Sequence, residues 1–446
     1  MLLNYLKLAW RLLSRRKFFT FISLFGISFT LGILMVTLSF LQSELGTNAP
    51  LTKKNDFVNL HSITLNRTYQ DTITNVDTLF ENGIAVYDTT FEYKESGSAS
   101  SQSELNYKIF LDYISDLTFA ENMSIFSTGN SYDVFVNGVK MTLEILLADV
   151  NYWDVFDHPM LEGRAFELQE VESASQVIVI STKTAENYFG RKDKVVGEEI
   201  FFDGKNYQVI GLYENKGKII SFVSPDAVVP YTTLDMSSVD NFYFHSFQAM
   251  YVKKSGVDIE QLKEEIKDRA KTIPLDHPDN DNGYTEIILT PMTYNEAYAQ
   301  GVYYEPEPEK SYKIMKWVLL GLLIFFTVLP TLNLINLNVS RILDRSSEIG
   351  VRKAFGAHQG NIIIQFIIEN IVQTLLGGII GFLIAWGIIY LINSGGYLGN
   401  SVLTFNSKFF VYSFIATVIF GVLSGFLPAY KMSRLQIVNA LKENKL

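Results

Sequence analysis

The sequence predicts an α-helical membrane protein with four transmembrane helices and a large α+β extracytoplasmic domain inserted between helices 1 and 2. Three observations carry that prediction. Four apolar runs are long enough to cross a bilayer, basic and acidic residues are segregated along the chain, and between the first and second runs the pattern changes to short strands and amphipathic helices.

A hydrocarbon core of about 30 Å needs about 20 apolar residues at a rise of about 1.5 Å each. The first run, "FFTFISLFGISFTLGILMVTLSFL" (18–41), carries no charge, and "WVLLGLLIFFTVLPTLNLINL" (317–337) is the second. The third falls within 361–392 and the fourth within 409–427. A buried core helix would account for one such run but not for four. The first is too long for a signal peptide and lacks a small-residue cleavage site, so it reads as a retained anchor.

Lys7, Arg11, Arg15, Arg16 and Lys17 precede the first span, and Arg341, Arg345, Arg352 and Lys353 follow the second. Lys431, Arg434, Lys442 and Lys445 follow the fourth, whereas the loop 394–407 has no charge. The positive-inside rule then places the N-terminus (1–17), the loop 338–360 and the tail 428–446 in the cytoplasm, with 42–310 and 393–408 outside. Lys310, Lys313 and Lys316 on the outer end of span two run against this but are outnumbered. Within 5–19, the basic and aromatic residues suit an amphipathic helix lying on the inner bilayer surface.

Against a whole-chain net charge of −10, residues 43–309 hold 20 Lys and Arg and 43 Asp and Glu. Nucleic acid is therefore an unsuitable partner. Zero cysteines exclude disulfides, thiolate metal sites and a thiol nucleophile, and the five histidines show no metal-binding spacing. No G-x-x-x-x-G-K-[ST] is present, so no cofactor is expected and ATP would be bound by a partner.

In the outer domain, 175–181 and 205–213 read as strands, and 182–190 as a helix stopped by Gly190. Residues 258–273 read as a helix capped by Asp258, with Ile259, Leu262, Ile266 and Ile273 on one face. "ESGSASSQSE" (95–104) reads as a flexible polar loop, and "EPEPEK" (305–310) as a stiff linker. "DHPDNDNG" (276–283) offers oxygen ligands for calcium, but its Glu286 comes too early for an EF-hand, and a solvated loop fits better.

Among membrane residues, Asn333 and Asn336 are placed to hydrogen-bond a neighbouring helix, and Gly377 and Gly381 to allow close packing. Glu369 is an intramembrane acid, which argues for an ion or proton role by default. Its position about two turns from the cytoplasmic loop favours snorkelling, or pairing with Arg352 or Lys353. No nucleophile–base pair supports an outward-facing enzyme.

The loop "DRSSEIGVRKAFGAHQGN" (344–361) is the unusual element. A helix from Arg341 to about Phe355, ended by Gly356, would set Arg345, Glu348 and Arg352 at i, i+3 and i+7. Joined to two spans, it would act as a lever for a soluble partner. The stretch "RSSEIGVRKAFGAHQGNIIIQFIIEN" (345–370) resembles the signature of the macrolide-exporter/FtsX-like ABC transporter permeases. Residues 148–213 resemble that family's periplasmic core domain, and "LPAYKMSRLQIVNAL" (427–441) its usual ending, although Ile437 stands where a proline is common.

The resemblance implies a permease subunit of the bacterial inner membrane with no ATPase activity of its own. It implies a dimer with a second, identical or different, permease subunit. A separate ABC-type ATP-binding subunit would dock on the loop through Arg345, Glu348, Ile349, Gly350, Arg352, Lys353, Phe355 and Gly356. In that picture Ile349 and Phe355 pack the lever while Glu348, Arg352 and Lys353 face the ATPase. Antimicrobial peptides, toxic small molecules or lipoproteins would be the exported substrates, with a periplasmic adaptor and an outer-membrane channel as further partners. The alternative within the family is an FtsX-like signalling scaffold that regulates cell-envelope enzymes.

Overall fold

The computed structural model describes the chain except residues 1–16, 82–83, 216–220, 234–240, 344–349, 352–353, 396–402 and 404–410, three single positions (48, 137 and 357), and most of the chain beyond 412. It divides into two compact units, one of residues 47–312 and one of 1–46 with 313–446.

Nine helices are labelled in the described residues: α1 Lys17–Leu45, α2 Tyr107–Tyr113, α3 Tyr152–Val155, α4 Leu168–Glu172, α5 Thr182–Phe189, α6 Ile259–Arg269, α7 Tyr294–Val302, α8 Pro308–Leu343 and α9 Gln359–Gly395. The strands are β1 Phe57–Glu81, β2 Ile84–Ser103, β3 Ala120–Ser127, β4 Asn130–Val136, β5 Val139–Ala148 and β6 Met160–Gly163, then β7 Val177–Ser181, β8 Glu199–Phe202, β9 Lys205–Tyr213, β10 Ala227–Pro230, β11 Phe247–Lys253 and β12 Glu286–Thr293.

All twelve strands form one sheet in the order β12-β1-β11-β3-β5-β10-β7-β9-β6, with β2 on β1, β4 on β5 and β8 on β9. Among the described residues only β5–β10 and β7–β9 pair in parallel. Alternate side chains of a strand point to opposite faces, and both faces of this sheet are covered. Ile178 and Ile180 of β7 enter one apolar core, while Val177 and Val179 enter a second. The same split separates Val58 from Phe57 and Tyr251 from Met250. Burial on both faces is why "VIVI" (177–180) is an unbroken apolar run rather than an alternating one.

Local signals end the helices where the sequence suggests. Ser181 caps α5 by accepting from the Thr184 amide, and Gly190 closes it in the left-handed region at φ 70°. Asp258 and Gln261 form a capping box on α6. The polar stretch 95–104 is different: it is not a loop, because β2 runs through Ser103 and pairs with β1 from Ile63↔Ser103 to Glu81↔Ile84. Serine and glycine side chains are small enough to leave that pairing to the backbone, with a bulge beside the Tyr69↔Gly97 pair. Beyond Asn66, which still pairs with Glu286 of β12, the only strand beside β1 among the described residues is β2.

In the second core His158 stands among aromatic rings, 4.9 Å from Tyr213, 5.7 Å from Tyr152 and 5.9 Å from Trp153 between centroids. Burial pushes its imidazole pKa down from 6.5 to about 3. The unfolded chain therefore takes up a proton below pH 6.5 that the folded chain refuses, so stability falls as pH drops through that window. Asp149 works oppositely. Burial raises its carboxyl to about 7 despite hydrogen bonds from Ile125 N and Ser124 Oγ, so its contribution is lost as pH rises. Comparing the wild type with His158→Phe cancels the Asp149 effect. Denaturation of the whole chain in detergent should show the wild type losing roughly 2 kcal/mol more than the variant between about pH 6.5 and about pH 5. Parallel pH profiles would refute this.

In the membrane-type unit, α1 and α9 supply two helices, Thr20–Leu45 and Ile363–Gly395, that are long and apolar enough to cross a bilayer. The expected run 317–337 lies inside α8. The expected fourth span, 409–427, falls largely outside the described residues.

Candidate functional site

Between α8 and α9 the described residues include a short helical piece that ends at a glycine. Gly350 is buried, Gly350, Val351 and Ala354 are helical, and Phe355 N donates to Val351 O at 3.1 Å. Gly356 then takes φ +86°, a conformation that favours glycine because it has no Cβ. His358 Nδ1 accepts from Gly360 N as α9 begins. Arg345, Glu348, Ile349, Arg352 and Lys353 lie outside the described residues.

Phe355, expected to pack the lever, has a side chain that is 89% exposed, and Val351 one turn before it is also exposed. An exposed phenylalanine is costly to leave in water and suits an anchor for another surface.

Farther along α9, Gly377 and Gly381 form a seam against α1. A Cβ on Gly377 would lie 2.6 Å from Ile27 Cγ2, and one on Gly381 would lie 2.7 Å from the Ser28 carbonyl oxygen. Glycine is thus the only residue that fits at this approach without displacing α1. Glu369 is buried and accepts from Gln365 Nε2 at 2.9 Å, one turn earlier on the same helix. Its expected partners Arg352 and Lys353 lie outside the described residues, as do the side chains of Asn333 and Asn336, which sit on α8.

A group that sequence reasoning missed lies in the 47–312 unit. Lys263 of α6 is 2% exposed, and its ammonium meets Glu260 at 3.1 Å, Glu296 of α7 at 3.3 Å and Glu309, in the first turn of α8, at 3.3 Å. Burial would lower its pKa, but the three carboxylates outweigh burial and leave it raised. Lys263 is therefore charged at neutral pH and ties three helix segments together. The residues 305–310 are accordingly not a free linker: Pro308 opens α8, Glu305 N donates to Ser311 Oγ, and Glu309 is held by Lys263. No cluster of three metal-ligating side chains occurs among the described residues.

Two family descriptions match the chain: "MacB-like periplasmic core domain" over residues 20–269 and "FtsX-like permease C-terminal" over 320–437. Among curated proteins, it is similar to a macrolide export ATP-binding/permease protein MacB of Psychrobacter arcticus, 26% identical over 66% of this chain and 42% of that protein. It is equally similar to a pyoverdine export ATP-binding/permease protein PvdT of Pseudomonas savastanoi, 26% identical over 66% and 42%. The chain thus spans less than half the length of these relatives. Among solved structures, the periplasmic region of MacB from Actinobacillus actinomycetemcomitans aligns over 43% of this chain and 79% of that one, at 15% identity and a TM-score of 0.33.

Proposed function

The chain belongs to the MacB/FtsX-like family of ABC transporter permeases, and from that premise we propose that it is the transmembrane subunit of an exporter of the bacterial inner membrane. The loop between α8 and α9 receives the ATPase, and the α+β domain stands on the periplasmic side between the first two of four spans. The 446 residues contain no G-x-x-x-x-G-K-[ST], so nucleotide hydrolysis is assigned to an ATP-binding domain outside them. The names of the relatives favour export over envelope signalling, although one scaffold can serve both tasks. Toxic small molecules, peptides and lipoproteins remain the substrate classes to screen.

The observation that carries this reading is Phe355, 89% exposed on a short helical turn whose sequence also holds Arg352 and Lys353. An aromatic anchor flanked by cations fits a soluble partner with an apolar notch and an acidic rim. Burying one phenylalanine contributes about 1.5–3 kcal/mol, so Phe355→Ala should weaken ATPase docking by about tenfold or more. Reversing both charges (Arg352→Glu with Lys353→Glu) should uncouple ATP hydrolysis in the assembled complex. The check is ATPase retention and turnover after co-purification in mild detergent. Unchanged retention and turnover in both variants would remove this loop as the docking site.

A further inference from the structure

A cavity of about 760 Å³ opens in the 47–312 unit where the second apolar core gives way to polar side chains. On β1, Phe57, Asn59 and His61 share one face by alternation; Phe57 belongs to the core, whereas Asn59 and His61 line the cavity. On β11, Met250 and Val252 lie in the core while Gln248, on the same face, lines the cavity. Asn59, Ser62 and Gln248 are nearly fully buried. Burying amides and hydroxyls on a core face is costly unless something uses them. A register shift of β1 against β12 between Leu60 and Ile63 turns both His61 and Ser62 towards the space, as bulges near binding sites do.

The lining has a definite chemistry. Asn59 Nδ2 donates to Gln248 Oε1 at 3.0 Å, which commits one donor and one acceptor. The Asn59 carbonyl and the Gln248 amide nitrogen are the complementary acceptor and donor for a ligand amide or hydroxyl. Phe222, Tyr298 and Tyr304 supply ring surface. Among the described lining residues Glu104 is the one carboxylate, with His61 Nε2 3.8 Å away, and none is a lysine or arginine. The wall is shared between strands and the exit of α7, because Tyr304 Oη donates to Gln102 Oε1 at 3.3 Å and Gln102 Nε2 to Ser62 Oγ at 2.9 Å.

We propose that this cavity is a binding site for a small organic cation that also carries a ring and an amide or hydroxyl. The cation sits against Glu104, the ring against the aromatic wall, and the polar group on the Asn59–Gln248 pair. An anion is disfavoured by Glu104 and by the acidity of the whole unit. Binding here needs no ATPase, so this site and the docking loop stand or fall separately.

Three probes share a ring and an amide but differ in charge: tyrosinamide (cation), N-acetyltyrosinamide (neutral) and N-acetyltyrosine (anion). Their affinities are measured calorimetrically on the full chain in detergent, where millimolar affinity is expected for ligands of this size. Tyrosinamide should bind most tightly and N-acetyltyrosine least. Glu104→Gln should weaken tyrosinamide roughly fivefold while leaving the neutral probe unchanged. Gln248→Leu should weaken both. Because Glu104 is partly exposed and Gln keeps its shape, an unchanged melting profile will show that Glu104→Gln folds. Equal affinity for the cation and the anion, indifference of tyrosinamide to Glu104→Gln, or no binding at millimolar concentration would each overturn the proposal.

Discussion

Lys263→Met should destabilise the 47–312 unit by about 3–5 kcal/mol, because it strands a carboxylate rather than merely deleting a contact. Glu296 is almost as buried as Lys263. It also serves the capping box of α7, where its Oε2 accepts from Thr293 N at 2.7 Å. It cannot turn out to water without abandoning that cap. Glu260 and Glu309 are more than half exposed and add at most about 1 kcal/mol each. The cost therefore rests on Glu296, and adding Glu296→Gln to Lys263→Met should restore most of it by removing the stranded charge while keeping the cap. Pulse proteolysis of the whole chain across a urea series measures both effects. A single variant that loses less than about 1 kcal/mol, or a double variant no better than the single, would show that Lys263 is not the tie described here.

The second large effect is expected at the seam of α1 and α9. Gly381→Val would force a side chain into the Ser28 carbonyl and the Leu31 Cβ, which is 3.0 Å from the added atom. Overpacking of this kind costs about 1–3 kcal/mol, and in a bilayer no hydrophobic gain offsets it. The chain has no cysteine, so an introduced pair reports without background. A Cβ on Gly32 would lie 3.7 Å from Ile384 Cβ, within disulfide range. Gly32→Cys with Ile384→Cys should cross-link readily in membranes, and Gly381→Val should reduce the yield by about tenfold. Full cross-linking in the triple variant would mean the helices tolerate the side chain.

How much of this could be read in the sequence depended on how local each signal was. The strand β7, the helix α5 with Gly190 behind it, β9, and α6 with its Asp258 cap were legible because period and cap lie within a few residues of each other. Gly377 and Gly381 were legible as small residues, but not the identity of Ile27 and Ser28 as what they meet. Residues 95–104 were misread because composition reports side chains, and that half of the ribbon is held by backbone. Lys263 looked like any helical lysine, since Glu296 and Glu309 are 33 and 46 residues away. Asn59 and Gln248 are 189 residues apart, and nothing in either neighbourhood marks the cavity they line. Motif similarity singled out the loop 344–361 but carried no sign that Phe355 is exposed.

The long ribbon of β1 and β2 has one more implication, for how this chain can change over evolutionary time. Past Asn66 its rungs touch no other strand among the described residues, so paired deletions or additions, one residue from each side, leave every other rung of the sheet in place. Length there can drift between homologues as freely as the teeth of a comb can be cut, and a peptide tag spliced near residues 82–83 should leave both cores as they are.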